Sequence, residues 1–295
     1  MSRKNKLFQI IISAVFIFIA LVCVIPVVLV LVTSLTKQEA ISTYGYSFFP
    51  KQWSFDAYRY IWSTARQTIL NAYGITIFTT VIGTVLGVLI VALYAYPISR
   101  NDFKYRNVFA FFSFFTMLFS GGMVSWYMVC TSVLHLGNTV WALILPGIMN
   151  SWYVVILRTF FATSIPPSVI ESAKIDGANE YTILFKLVMP LALPGLATIA
   201  LFFTLKFWND WYNALMFITD ERLRNLQFLL QSMLSKIQLL AESDGNSYMT
   251  ETITEIPSDS VRMALCMIAA GPILIVYPFF QRYFIQGLTV GAVKG

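Results

Sequence analysis

Charged residues are scarce in this 295-residue chain. Asp, Glu, Lys and Arg together make up 12% of it, where a soluble domain carries about 25%. With 58% hydrophobic residues and a mean hydropathy of +0.71, that shortage excludes an ordinary soluble fold and points to a polytopic membrane protein. Histidine is nearly absent, and the single imidazole of His135 leaves almost no material for a histidine metal site or a catalytic triad. The three cysteines, Cys23, Cys130 and Cys266, lie in or beside apolar runs at no metal-like spacing, so neither a metal centre nor a disulfide is expected. The phosphate-cradling Gly-x4-Gly-Lys-Ser/Thr run is missing as well. The chain is therefore expected to bind no cofactor and to hydrolyse no ATP by itself. No internal repeat is visible, which argues against both halves of a symmetric transporter in one chain.

What is present is a series of apolar runs. Six spans are expected, at roughly Leu7–Val32, Ile69–Ile98, Val108–Cys130, Thr139–Phe161, Leu187–Phe207 and Val261–Phe284, each near or above the roughly 20 residues that cross the hydrocarbon. The first run is too long for the core of a cleavable signal and reads as a membrane helix. The net charge of +6 is a topology signal rather than evidence for nucleic acid. Arg3, Lys4 and Lys6 stand without an acid near the start. Arg100, Lys104 and Arg106 face only Asp102 between the second and third spans, whereas residues 217–257 are rich in Asp and Glu. Basic loops face the cytoplasm, so both termini and the connection around Glu171 are expected inside. The 34–67 loop and the acidic stretch that includes Asp244 are expected outside.

The most informative segment is the polar island Glu171-Ser-Ala-Lys-Ile-Asp-Gly177 between two apolar runs. Ser168-Val-Ile-Glu171 fits a capping box behind Pro166 and Pro167, with a short helix to about Ile175. Gly177 supplies a backbone conformation that other residues resist, and Asn179 and Glu180 begin the next helix. The connector, about residues 162–186, is longer than a plain helix–helix loop requires.

Polar residues in membrane helices usually face protein or water. Trp208, Asn209, Asp210 and Trp211, at the end of the fifth span, combine stacking surfaces with hydroxyl-binding groups, the two chemistries that recognise a sugar. On a continuous helix Lys206, Asn209, Asp210 and Asn213 share one face. The same residues also suit an aromatic belt with a snorkelling lysine. Asn150 and Trp152, near the middle of the fourth span, are the second candidate path. Small residues from Thr76 to Gly87 suit close helix packing, within the subunit or against a partner. Leu226 to Leu240 reads as an amphipathic helix that lies in the outer interface or caps the bundle, and residues 242–247 as an exposed loop.

Glu171, Ser172, Ala173, Gly177, Leu187, Met189 and Pro190 together resemble the motif of bacterial ABC-importer permeases: Glu-Ala-Ala, three residues, Gly, nine residues, Ile-x-Leu-Pro. Ser172, Leu187 and Met189 depart from it conservatively. Residues 71–76, 95–100, 121–127 and the end of the chain from Gln281 are similar to the carbohydrate branch of that family, its maltose-type subunit and Gram-positive oligosaccharide permeases. The resemblance covers about residues 55–295. It implies an all-α type I importer permease fold with six transmembrane helices and a cytoplasmic coupling helix. The expected organisation is an N-terminal helix and outer loop at 1–67, a permease domain at 68–287 and a cytoplasmic tail at 288–295, either solvated or lying against the ATPases. It implies that Glu171, Ser172, Ala173, Asp176, Gly177 and Pro190 couple the chain to an ATPase, with ATP and Mg held by two ATP-binding partner subunits. A second, homologous permease, an extracellular solute-binding protein and a carbohydrate are the other implied partners, in a bacterial cell membrane. The alternatives are an importer of a non-sugar solute and a secondary transporter. The scarcity of charge at mid-membrane depth argues against the latter.

Overall fold

A computed structural model of the protein describes residues 3–242 and 259–292. Internal contacts divide the chain into two units, 1–67 with 232–272 and 68–231 with 273–295. The acidic stretch around Asp244, including the loop at 243–247, lies outside the described residues.

In the first unit a run of Ile, Val, Leu and Phe makes helix α1 (Arg3–Ser34), despite Pro26 inside it. Its apolar stretch Phe8–Ser34 is long enough to span a bilayer, and none of its most apolar window is buried. The chain then folds back on itself. Thr36 pairs with Trp53 in an isolated bridge, Lys37 N–H donates to Gln52 O at 3.1 Å, and Ser54 N–H to Leu35 O at 2.8 Å. Short helices Gln38–Tyr44 and Asp56–Thr64 follow, and the Ser34 hydroxyl lies 2.9 Å from the Tyr58 hydroxyl. Ser260 N–H reaches Gln38 Oε1 at 3.2 Å.

The second unit is built on α2 (Arg66–Ser99), the other unbroken helix long and apolar enough to span among the described residues. The next three spans, expected as continuous helices, are broken. Arg106–Leu118 (α3) meets Gly122–Val133 at 114°, and Gly122 takes φ +83° at that corner. Val140–Gly147 meets Ser151–Ser164 (α5) at 49°, just after Pro146 and Gly147. Glu180–Leu191 meets Leu193–Trp208 (α7) at 82° around buried Ala192, between Pro190 and Pro194. Average hydropathy runs across these points. Proline, which removes a donor and clashes with the preceding turn, and glycine, which tolerates the corner, break the helices. The last helix, α10, runs Asp259–Ala292.

The core of this unit forms where α2 meets α7. Phe203 and Phe207 are buried in it with Val91, Ala92, Ala95, Leu157 and Ile199. The small residues of α2 are the seats of those rings. A Cβ on Gly83 would stand 2.6 Å from the Phe207 ring, and one on Gly87 would stand 2.7 Å from Phe203 Cζ. Gly147 admits Phe207 as closely, at 2.8 Å, and Thr84 Oγ1 lies 3.3 Å from Thr204 Oγ1. The small-residue stripe therefore packs within the chain.

Gly87→Ala is expected to destabilise the protein by about 1–3 kcal/mol, because the ring of a fully buried Phe must move. Gly74→Ala on the same helix, with nothing within 4 Å of its Cβ, is expected to be neutral or stabilising by up to about 1 kcal/mol. Thermal unfolding in detergent checks the pair, and equal midpoints would refute this account of the stripe.

Candidate functional site

The hairpin begins one step earlier than its sequence suggests. Its helix α6 spans Pro167–Ile175, with Pro166 as N-cap in an extended conformation and no side-chain cap hydrogen bond. The expected capping box between Ser168 and Glu171 does not form. A residue before proline avoids the helical region, and proline itself suits the first helical position. The two prolines therefore place the boundary, and Ser168 falls inside the helix.

The other end closes as expected. Gly177 takes φ +80°. Ala178 N–H donates to Ala173 O at 2.9 Å and Gly177 N–H to Lys174 O at 3.1 Å, the paired bonds of a Schellman motif. Asn179 then caps the next helix, its side-chain oxygen accepting from Thr182 N–H at 2.8 Å. Ala173 is buried and holds the helix down, while Glu171, Ser172 and Asp176 are exposed. Ile175 is 86% exposed and Tyr181 74%, so the turn carries apolar surface outward between two acids. Pro190 is exposed, at the start of the 82° bend.

Beside the turn lies an ion cluster that the sequence reading used only for its sign. Arg100, whose side chain is 10% exposed, donates to Glu180 Oε2 at 2.9 Å and to the Tyr96 hydroxyl at 2.6 Å. It also donates from Nε to Asp102 Oδ1 at 2.7 Å. Lys174 bridges the same two acids, 2.8 Å from Asp102 Oδ2 and 3.1 Å from Glu180 Oε1. The hydrogen bond from Arg100, helped by the one from Lys174, holds the Asp102 carboxyl well below the usual carboxylate range against its partial burial. A lowered folded-state value means that the cluster's stabilisation is complete above the ordinary carboxylate range. It declines progressively as pH falls below that range and is gone once pH has passed the depressed value. The pairing spans positions 72 to 80 residues apart, so no local pattern discloses it.

The expected sharing of one helical face by Lys206, Asn209, Asp210 and Asn213 does not survive, because α7 ends at Trp208. Asn209 is its C-cap, donating from Nδ2 to Leu205 O at 3.0 Å, and Gln227 Nε2 donates to its Oδ1 at 3.3 Å. Asp210 accepts from the backbone and side chain of Asn213 at 3.1 and 2.8 Å, at the start of α8 (Tyr212–Phe217). Asn225 donates to Asp210 O and accepts from Phe228 N–H at 3.0 Å, opening α9 (Leu226–Glu242). Lys206 reaches back to Gly147 O at 2.8 Å. Asn150 is the N-cap of α5, accepting from Trp152 N–H at 2.9 Å and Tyr153 N–H at 3.3 Å. Of the aromatic candidates Trp208 is buried, at 6% exposure, whereas Trp211 and Trp152 are 37% and 55% exposed.

Broken apolar spans packed on two core clusters, with a helical hairpin that carries exposed apolar side chains, fit a membrane transport component. Residues 83–290 match the family of the binding-protein-dependent transport system inner membrane component, and the chain belongs to that family. It is 38% identical over 294 residues to a polygalacturonan/rhamnogalacturonan transport system permease protein of Bacillus subtilis, covering 99% of this chain and 100% of the relative. It is 30% identical to an arabinooligosaccharides transport system permease protein of Halalkalibacterium halodurans, over 95% and 94% of the two chains. A crystal structure of a bacterial ABC transporter involved in the import of the acidic polysaccharide alginate matches 96% of this chain and 99% of its own, with a TM-score of 0.79 and 28% identity.

Gly177→Ala is expected to cost about 1–2 kcal/mol for the left-handed backbone alone, since nothing stands within 4 Å of the added Cβ. Gly177→Asn is expected to cost less, because asparagine tolerates that region. Thermal midpoints of the two variants test the order, and alanine no worse than asparagine would count against it.

Proposed function

We propose that this chain is the permease subunit of an ATP-driven importer that carries an oligosaccharide or a polysaccharide fragment into the cell. A second, homologous permease completes the path, an extracellular binding protein delivers the sugar, and two partner subunits hold ATP and Mg. The hairpin carries this reading: a helix closed by the Gly177 turn, with Asn179 capping the next helix and with exposed Ile175 and Tyr181 beside Glu171 and Asp176. Sugar-system permeases matched nearly end to end support the cargo class. A non-sugar solute has no such support.

In this reading both termini and the hairpin face the cytoplasm. Glu171, Ser172 and Asp176 meet the ATPase subunit, Ala173 seats the helix, and Gly177 and Pro190 set its two bends. ATP-driven approach of the ATPases pulls the hairpins, and α5 and α7 follow as rigid bodies, which switches the side to which the cavity opens. Along the path, exposed Trp152 and Trp211 offer stacking faces and Asn209 a polar edge. Trp208, Asp210 and Asn150 hold that wall in place through burial and capping.

Two measurements test the proposal. In a cysteine-free background, Ile175→Cys is expected to resist an impermeant thiol reagent in intact protoplasts, while Asp244→Cys reacts. The opposite pattern inverts the topology. Glu171→Lys, inserted at wild-type level, is expected to lower sugar uptake at least about tenfold by reversing a docking charge. Trp211→Ala is expected to weaken the path by about 1 kcal/mol of stacking, roughly fivefold in apparent affinity. Unchanged uptake in both variants would remove the hairpin and path assignments.

A further inference from the structure

Through the chain itself, the hairpin is continuous with α5 on one side and with Glu180–Leu191 and α7 on the other. Its ion pairs lead to a different helix. Arg100 and Asp102 directly follow the end of α2, while Lys174 and Glu180 stand on either side of the Gly177 turn. Tyr96, one turn before Arg100, closes the ring by donating to Glu180 Oε2 at 2.8 Å. A second tie comes from α5, where Arg158 Nε donates to Ile98 O at 3.2 Å. That carbonyl lies in the last turn of α2, where helix carbonyls lack an internal donor. Ala95, Tyr96 and Ile98 are buried in the same cluster as Ala173, Ile183 and Leu184 of the hairpin and its continuation. The end of α2 is thus held to the hairpin by charge, hydrogen bonds and packing, at positions the chain does not join.

We propose that this cluster makes the hairpin-side end of α2 part of the body that moves with the hairpin, with Arg100 as the positioning residue. Exposed ion pairs contribute little, but Arg100 is nearly enclosed and two carboxylates converge on it. Without its guanidinium, Asp102 and Glu180 share only Lys174. Force on the hairpin is then absorbed at the turn, and α2 lags behind. The consequence is specific: ATP is still hydrolysed, but fewer sugars cross for each ATP. This inference rests on the reading of the hairpin as the element that receives the ATPase stroke.

The test uses the complete transporter in proteoliposomes and reads ATP hydrolysed per sugar imported. Arg100→Glu is expected to raise that ratio about tenfold, and the exchange Arg100→Glu with Glu180→Arg to return it to within about threefold of wild type, as coupled neighbours do. A wild-type ratio in Arg100→Glu, or an exchange no better than the single variant, overturns the proposal. If Arg100→Glu does not accumulate in the membrane, Glu180→Gln replaces it. An increase of about threefold is expected there, and a wild-type ratio again overturns it. A merely structural role lowers hydrolysis and uptake together and leaves the ratio unmoved. A second arm is independent of transport. Spin labels at Lys104→Cys and Ile175→Cys in the cysteine-free complex are expected to give one narrow distance distribution that broadens in Arg100→Glu, and an unchanged distribution counts against the clamp. Absence of ATP-driven uptake by the wild-type complex refutes the importer reading instead, while the spin-label arm still decides the clamp.

Discussion

A backbone N–H or C=O inside a bilayer has no water to turn to, and every break in a spanning helix must therefore be satisfied by protein. This chain breaks three of its spans, and several of its polar residues are arranged around that requirement. Asn150 caps the restarted half of one span. Lys206 donates to Gly147 O where the other half ends. Asn209, Asp210, Asn213 and Asn225 tie together the end of α7 and the starts of α8 and α9. Thr76 adds the last bond of this knot, accepting from Leu226 N–H at 3.0 Å. What composition presents as a polar path through a membrane is in large part the cost of having corners there.

Helix α7 joins these features. Its start is the bend that follows the hairpin, its middle seats Phe203 and Phe207 against glycines of two other segments, and its end is the polar knot. Close-packed interiors transmit displacement rather than absorb it. Large rings facing bare glycine leave little room for α7 to slide, so a displacement at Pro190 and Ala192 would be passed along the helix to the polar knot at its end.

Much of the architecture was legible in the sequence because it depends on averages. Six apolar runs stand out by length, and the hairpin stands out because Gly177 and Asn179 have local signatures that the backbone obeys. The failures share a cause. Hydropathy sums over Pro146-Gly147, Pro190 and Gly121-Gly122, so broken spans read as straight ones. Helical spacing was carried past Trp208, where the helix had already ended. Ser168 looked like a cap because the boundary imposed by the two prolines was placed too late. Arg100 and Asp102 registered only as a charge balance, since their partners lie 72 to 80 residues away and pairing at that range belongs to the fold.

The bareness of α1 separates it from the rest of the chain in the order of assembly. A helix whose most apolar window has no buried residue within this chain forms all of its backbone hydrogen bonds along that window by itself. The broken spans that follow are not complete on their own. Gly147 O waits for Lys206, 59 residues later, whereas Leu226 N–H meets the Thr76 hydroxyl, which lies 150 residues earlier and already donates to Ala72 O. While the chain is being threaded into the membrane, the corner at Gly147 therefore stands without the donor that its carbonyl has in the folded chain. Water is the partner that can serve that carbonyl until Lys206 arrives.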